Sequence, residues 1–236
     1  MTRLYRKNEL TFAIVWIVLY VVLSSMADGI SEELGTLKLV TAPLMIVMTA
    51  VLGGWIVRNG LRDKYGLKRP EGSVREYLYW LPLVVIASSS LWFGCEMNMS
   101  VTESALRVIS MLCVGFVEEI IFRGFLFRAI SLTNLKRAVV ISSVTFGLGH
   151  IVNLLNGAPM FETLMQIIYA VALGFLFTII FLKSKSLIPC IAAHSAINSL
   201  STFGRVQTSA QLIVITVALT AISIAYSAWM LRQKQE

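Results

Sequence analysis

The hydrophobic pattern of this chain leaves it few ways to fold. Eight apolar stretches, 10–27, 37–57, 77–95, 104–127, 137–154, 162–182, 186–203 and 210–230, follow one another along the sequence. A bilayer core about 30 Å thick takes roughly 20 apolar residues wound as a helix. The stretches predict an all-α polytopic membrane protein of about eight transmembrane helices, a single membrane domain over 1–236. The fifth and seventh are short or interrupted by polar residues, so seven spans is the alternative count. Composition agrees: 57% of residues are hydrophobic, 14% are charged and the mean hydropathy is +0.77. A soluble domain carries about 25% charged residues.

The net charge of +7 would fit a nucleic-acid binder if it were spread over a soluble surface. Its placement excludes that reading. Arg3, Arg6 and Lys7 precede the first span, and the next connection is acidic (Asp28, Glu32, Glu33). The third region holds Arg58, Arg62, Lys64, Lys68, Arg69 and Arg75 beside Asp63, Glu71 and Glu76. Acidic (Glu96, Glu103) and basic (Arg128, Lys136, Arg137) connections follow. Glu162, then Lys183 and Lys185, then a lone Arg205, and finally Arg232 and Lys234 complete the series. Basic residues mark every second connection, with Arg205 the exception. By the positive-inside rule both termini are cytoplasmic, which requires an even number of spans. Tyr77, Tyr79 and Trp80 open the third span and Trp229 closes the last, good positions for interfacial aromatics. "SSMA" before Asp28 looks like a signal-peptidase site, but the apolar run exceeds the usual 7–15 residues, so it reads as a retained anchor. Cys95, Cys113 and Cys190 lack paired spacing and read as small apolar residues within helices.

An ionisable side chain at mid-bilayer is costly and asks for a partner. Three spans carry such groups: Glu118, Glu119 and Arg123 in the fourth, His150 in the fifth, His194 with Asn198 in the seventh. The chain has two histidines, and both fall at intramembrane positions. Glu119 and Arg123 are four residues apart on one helical face and predict an ion pair. Glu118 is rotated by about 100° and left free, a candidate general base. His194 and Asn198 are also four apart and can offer two donors to one point, as an oxyanion requires. Phe146 shares the face of His150. Asn153 either orients that imidazole or sits at the helix end. Gly147 and Gly149 allow close helix approach.

"EEIIFR" (118–123), "FGLGH" (146–150) and "HSAIN" (194–198) resemble the motifs EExxxR, FxxxH and HxxxN of the CPBP family. That family, also called Abi, groups CAAX-processing and bacteriocin-processing intramembrane proteases. The three motifs occur in the family's order on three separate spans, which makes the resemblance specific. It implies an eight-helix CAAX-protease-like bundle with its catalytic region at about 104–203. The implied activity is hydrolysis of a membrane-associated protein or peptide by a glutamate-activated water. The resemblance assigns Glu118 and His150 to the water and His194 and Asn198 to the oxyanion, with Glu119, Arg123 and Phe146 supporting. It implies a peptide or protein substrate met in the lipid bilayer, and no nucleic acid. The expected location is a bacterial plasma (inner) membrane.

No cofactor is expected. Zinc is the alternative, with Glu118, His150 and His194 as an acceptable catalytic set, but there is no HExxH and Asn198 is a poor zinc ligand. Cys190 lies four residues before His194, so a Cys–His dyad is geometrically open, with a packing role preferred. Ser142, Ser143, Ser195 and Ser199 are expected to bond their own helix carbonyls. Two non-enzymatic readings stand beside the peptidase: an immunity or scaffold protein that binds a peptide in the same pocket, and a proton-coupled transporter. The transporter predicts matched repeats, which the sequence does not show.

Overall fold

The computed structural model describes residues 1–72 and 80–233. Tyr77, Tyr79, Arg75, Glu76 and Lys234 lie outside the described residues. The helices are α1 (Thr2–Lys7), α2 (Glu9–Glu33), α3 (Thr41–Arg58), α4 (Trp80–Ala87) and α5 (Val101–Glu119). From α5 the chain continues through a π-helical stretch, Ile120–Phe127, into α6 (Arg128–Ser131). Then come α7 (Leu135–Gly149), α8 (Val152–Leu155), α9 (Met160–Ser184), α10 (Ile188–Leu200) and α11 (Ser209–Arg232). Among the described residues there is no strand, only an isolated bridge between Cys95 and Gly204.

Local chemistry sets the helix starts. Asn8 accepts from the Thr11 amide to open α2, and Asn134 accepts from Arg137 to open α7. Ser100 with Glu103, and Thr208 with Gln211, form reciprocal capping boxes before α5 and α11. Pro189 stands in the first turn of α10, where its missing amide hydrogen costs nothing.

The chain is an integral membrane protein. Among the described residues, five helices are long and apolar enough to cross a membrane: α2, α3, α7 continued through α8, α9 and α11. Val18, Val84, Val140 and Val217 are more than half exposed on the outside of the bundle, as lipid contact allows. The other three expected spans differ for visible reasons. α5 carries Glu103, Arg107, Glu118 and Glu119 within its length, α10 has 13 residues, and α4 with its following turn is a short apolar helix ending at Leu91. The count of eight crossings thus rests on the sequence pattern. Cys95 departs from expectation. It lies past the end of that short helix and is exposed, because the chain there turns to meet Gly204.

The connections segregate to two ends. At one, Lys64 pairs with Glu9, the Leu187 amide bonds the Gly66 carbonyl, Ser186 bonds Lys68, and Lys183 reaches the Gln233 carbonyl. That end therefore gathers both termini with segments 59–72 and 184–187. At the other, Lys38 pairs with Asp28, Glu96 bonds Phe203, Arg205 bonds Gly94, and Glu103 accepts from Leu37. Between the ends, α7 packs on α9, α9 on α11, and α5 on α10 and α3. The buried aromatics Phe12, Trp55 and Phe125 pack together inside the first end, with Trp55 edge to face on Phe125 and Phe12 tilted against both.

Two helix crossings are set by glycine. A Cβ at Gly115 would lie 2.6 Å from the Ser195 nitrogen, and one at Gly147 would lie 2.9 Å from the Val171 nitrogen. Gly149, by contrast, would meet only the far end of Phe122 at 3.9 Å. Gly115→Ala should therefore cost about 1–3 kcal/mol by forcing α5 from α10, whereas Gly149→Ala should be neutral. Thermal unfolding in detergent measures both, and equal effects would refute the crossing argument.

Candidate active site

The site is built on the α5–π segment. Glu119 closes α5, and Arg123 lies one turn on, inside the π stretch. Arg123 Nη1 donates to Glu119 Oε1 at 2.9 Å, and both side chains are fully buried. The pairing expected from their spacing is present. Burying two ions is costly unless further partners compensate. The second partner is His194 on α10, whose Nδ1 lies 2.9 Å from the same Glu119 Oε1. An ionised carboxylate only accepts, so Nδ1 carries the proton and donates. The Arg123 guanidinium stacks 4.1 Å from the Phe146 ring, which uses the faces that hydrogen bonds leave free. Gly174 makes room for it: a Cβ there would stand 3.2 Å from Nη2.

Glu118 turns the other way. Its Oε1 accepts from the Tyr20 hydroxyl at 2.5 Å, and its Oε2 lies 3.5 Å from His194 Nε2. The expectation of a free carboxylate is corrected to this extent: it has a phenol partner from α2. His150 stands at the end of α7, with Nδ1 3.1 Å from the Phe146 carbonyl. A carbonyl only accepts, so Nδ1 donates and Nε2 keeps its lone pair. Phe146 packs edge-on against both imidazoles, with centroids 5.4 Å from His150 and 5.5 Å from His194.

These groups meet a chamber of about 780 Å³. Glu118, Phe146, His150 and Asn198 line it, Glu119 and Arg123 lie outside its lining, and His194 Nε2 stands 3.5 Å from Glu118 Oε2 at its edge. The structure thus brings the three sequence motifs to one place. The Asn153 side chain donates to Gln166 rather than to the His150 ring. Cys190 is buried and donates to the Phe177 carbonyl, a packing role. Ser143 bonds its own helix as expected, but Ser142 bridges to Phe122 and Ser195 to Leu112, joining neighbouring helices instead. The Phe122 carbonyl belongs to the π stretch, where the ordinary helical ladder is broken. Among the described residues, no three His, Cys, Asp or Glu side chains are grouped to hold a metal ion.

Sequence reasoning missed Tyr20, because a tyrosine in an apolar helix reads as an interfacial aromatic. It also missed Arg107, three turns before Glu118, whose side chain lines the chamber beside Asp28 and Lys38.

Residues 100–200, less than half of the chain, match the family described as type II CAAX prenyl endopeptidase Rce1-like. That stretch holds all three motifs, and the family matched is the one they resemble. No individual curated protein matches the chain.

Two outcomes follow from the contacts. Glu119→Gln leaves Arg123 buried without its counter-ion and should cost about 3–5 kcal/mol, read by thermal unfolding in detergent. Tyr20→Phe removes a hydrogen bond to a charged acceptor, worth about 1.5–3 kcal/mol, and should slow any reaction that uses Glu118 by roughly tenfold or more without unfolding the protein.

Proposed function

From the match of residues 100–200 to the type II CAAX prenyl endopeptidases, we propose that this chain is an intramembrane endopeptidase whose base is Glu118. One observation carries the reading: Glu118, His150 and Asn198, from three distant parts of the sequence, line one chamber that reaches the surface. Hydrolysis in a bilayer needs that access, because water must reach the scissile bond.

The chemistry gives each residue a role. Water in the chamber gives a proton to Glu118, while His150 Nε2 accepts a hydrogen bond from its second hydrogen. The nascent hydroxide attacks the scissile carbonyl carbon. The Asn198 amide, and His194 Nε2–H reaching past Glu118, donate to the oxyanion that forms. Glu119, already held by Arg123, balances the charge on the His194 ring. Collapse breaks the C–N bond, and Glu118 returns its proton to the leaving amine. Tyr20 fixes the rotamer of Glu118, so the base is aimed before substrate arrives. The substrate is a membrane-associated peptide or protein segment in extended form, since a helix keeps its carbonyls in its own ladder.

A general base contributes about 10²–10⁴-fold. Glu118→Gln should lower cleavage of a membrane peptide by that range with abundance and unfolding temperature unchanged. Retained processing would favour the immunity or scaffold reading. In the same assay a chelator should leave the rate unchanged, and a loss restored by zinc would replace the glutamate mechanism with a metal one.

A further inference from the structure

We propose that the chamber opens to the non-cytoplasmic side of the membrane, so that its substrate is a peptide segment presented from outside the cytoplasm. The substrate half of this inference rests on the endopeptidase reading; the orientation half does not.

The chamber has one polarity. Its rim is drawn from the end of the bundle that carries Asp28, Lys38, Asn98, Asn156 and Arg205. Among the described residues, none of its lining comes from segments 59–72, 128–134 or 184–187 at the other end. That other end is packed shut. Tyr65 is buried there, Gly66 is pressed against Phe181, and Arg128 lies over the Phe181 ring.

The two ends differ sharply in basic residues. At the closed end, one connection holds Arg62, Lys64, Lys68 and Arg69, another Arg128, Lys136 and Arg137, and a third Lys183 and Lys185. Among the described residues, the open end has only Lys38, Arg107 and Arg205. Lys38 is clamped by both Asp28 oxygens at 2.7 and 2.8 Å, and Arg205 lies 3.9 Å from Glu96. Lysine and arginine in short connections are what set orientation, and they stay on the cytoplasmic side. The closed, basic end with both termini is thus cytoplasmic, and the mouth is on the other side.

A substrate entering this mouth carries its cleavable segment down from the outer surface. A peptide left in the membrane after export, or an exported precursor still anchored there, has that geometry. A tail reaching in from the cytoplasm does not.

The native chain supplies the probe, because Cys95 is exposed beside the mouth while Cys113 is half-buried along α5 within the apolar span and Cys190 is buried. A membrane-impermeant maleimide added to intact cells should label the protein, and Cys95→Ser should abolish that labelling. In the Cys95→Ser background, Lys136→Cys at the closed end should label only after permeabilisation. Labelling of Lys136→Cys in intact cells, with Cys95 reactive only after permeabilisation, overturns the orientation. A quenched, acyl-anchored peptide given to spheroplasts should be cut at least about tenfold faster than by inverted vesicles, because a charged peptide does not cross the bilayer. The reverse ranking overturns the substrate assignment. Cutting by neither defeats the endopeptidase reading and the substrate assignment with it, while the maleimide result still decides the orientation.

Discussion

One carboxylate oxygen holds the site together. Glu119 Oε1 accepts from Arg123 on its own helix and from His194 on α10, each at 2.9 Å. No water reaches it, so the attraction is little screened and neither donor has another carboxylate at this distance. The arrangement fixes how α10 is rotated relative to α5, and with it where Asn198 faces. Gly115 lets the two helices approach closely enough for the contact, and the Arg123–Phe146 stack carries the same constraint to α7. Three helices are thereby positioned by a single ionic knot of the kind that is costly to bury and costlier to break.

Much of this could be read from residue spacing. The apolar runs predicted the all-helical membrane architecture, and the four-residue spacing of Glu119 and Arg123 predicted their pairing. The motifs pointed to residues that do share one region. What stayed hidden depends on partners distant in sequence. Tyr20 lies 98 residues before Glu118, and nothing local announces that contact. The π stretch was equally invisible, because seven apolar, aromatic or glycine residues with one arginine fit an ordinary helix by propensity. Ser142 and Ser195 were expected to bond within their own helices. They reach across instead, since close crossings bring foreign carbonyls within range.

Cys95 shows the limit of reading spans from hydropathy. The apolar run 77–95 predicts a helix to its end, but helix gives way to turns at Ser88 and the chain bends through Gly94, at φ +114. A hydropathy window cannot see that the segment ends by pairing with Gly204. The rim built from that pairing also includes Asn98 and Arg205.

The depth of the chamber has a consequence for what can be cut. Glu118 is seventeen positions beyond Val101, so at about 1.5 Å per residue it sits some 25 Å down the α5 axis from the rim. On the proposed endopeptidase reading, an unwound chain advancing about 3.3 Å per residue would thread roughly seven or eight residues inward before a peptide bond met Glu118. The shaft acts as a depth gauge. On that reading folded domains would stop at the opening, and selection would fall on whichever strands can shed their helical winding and lie straight for that length.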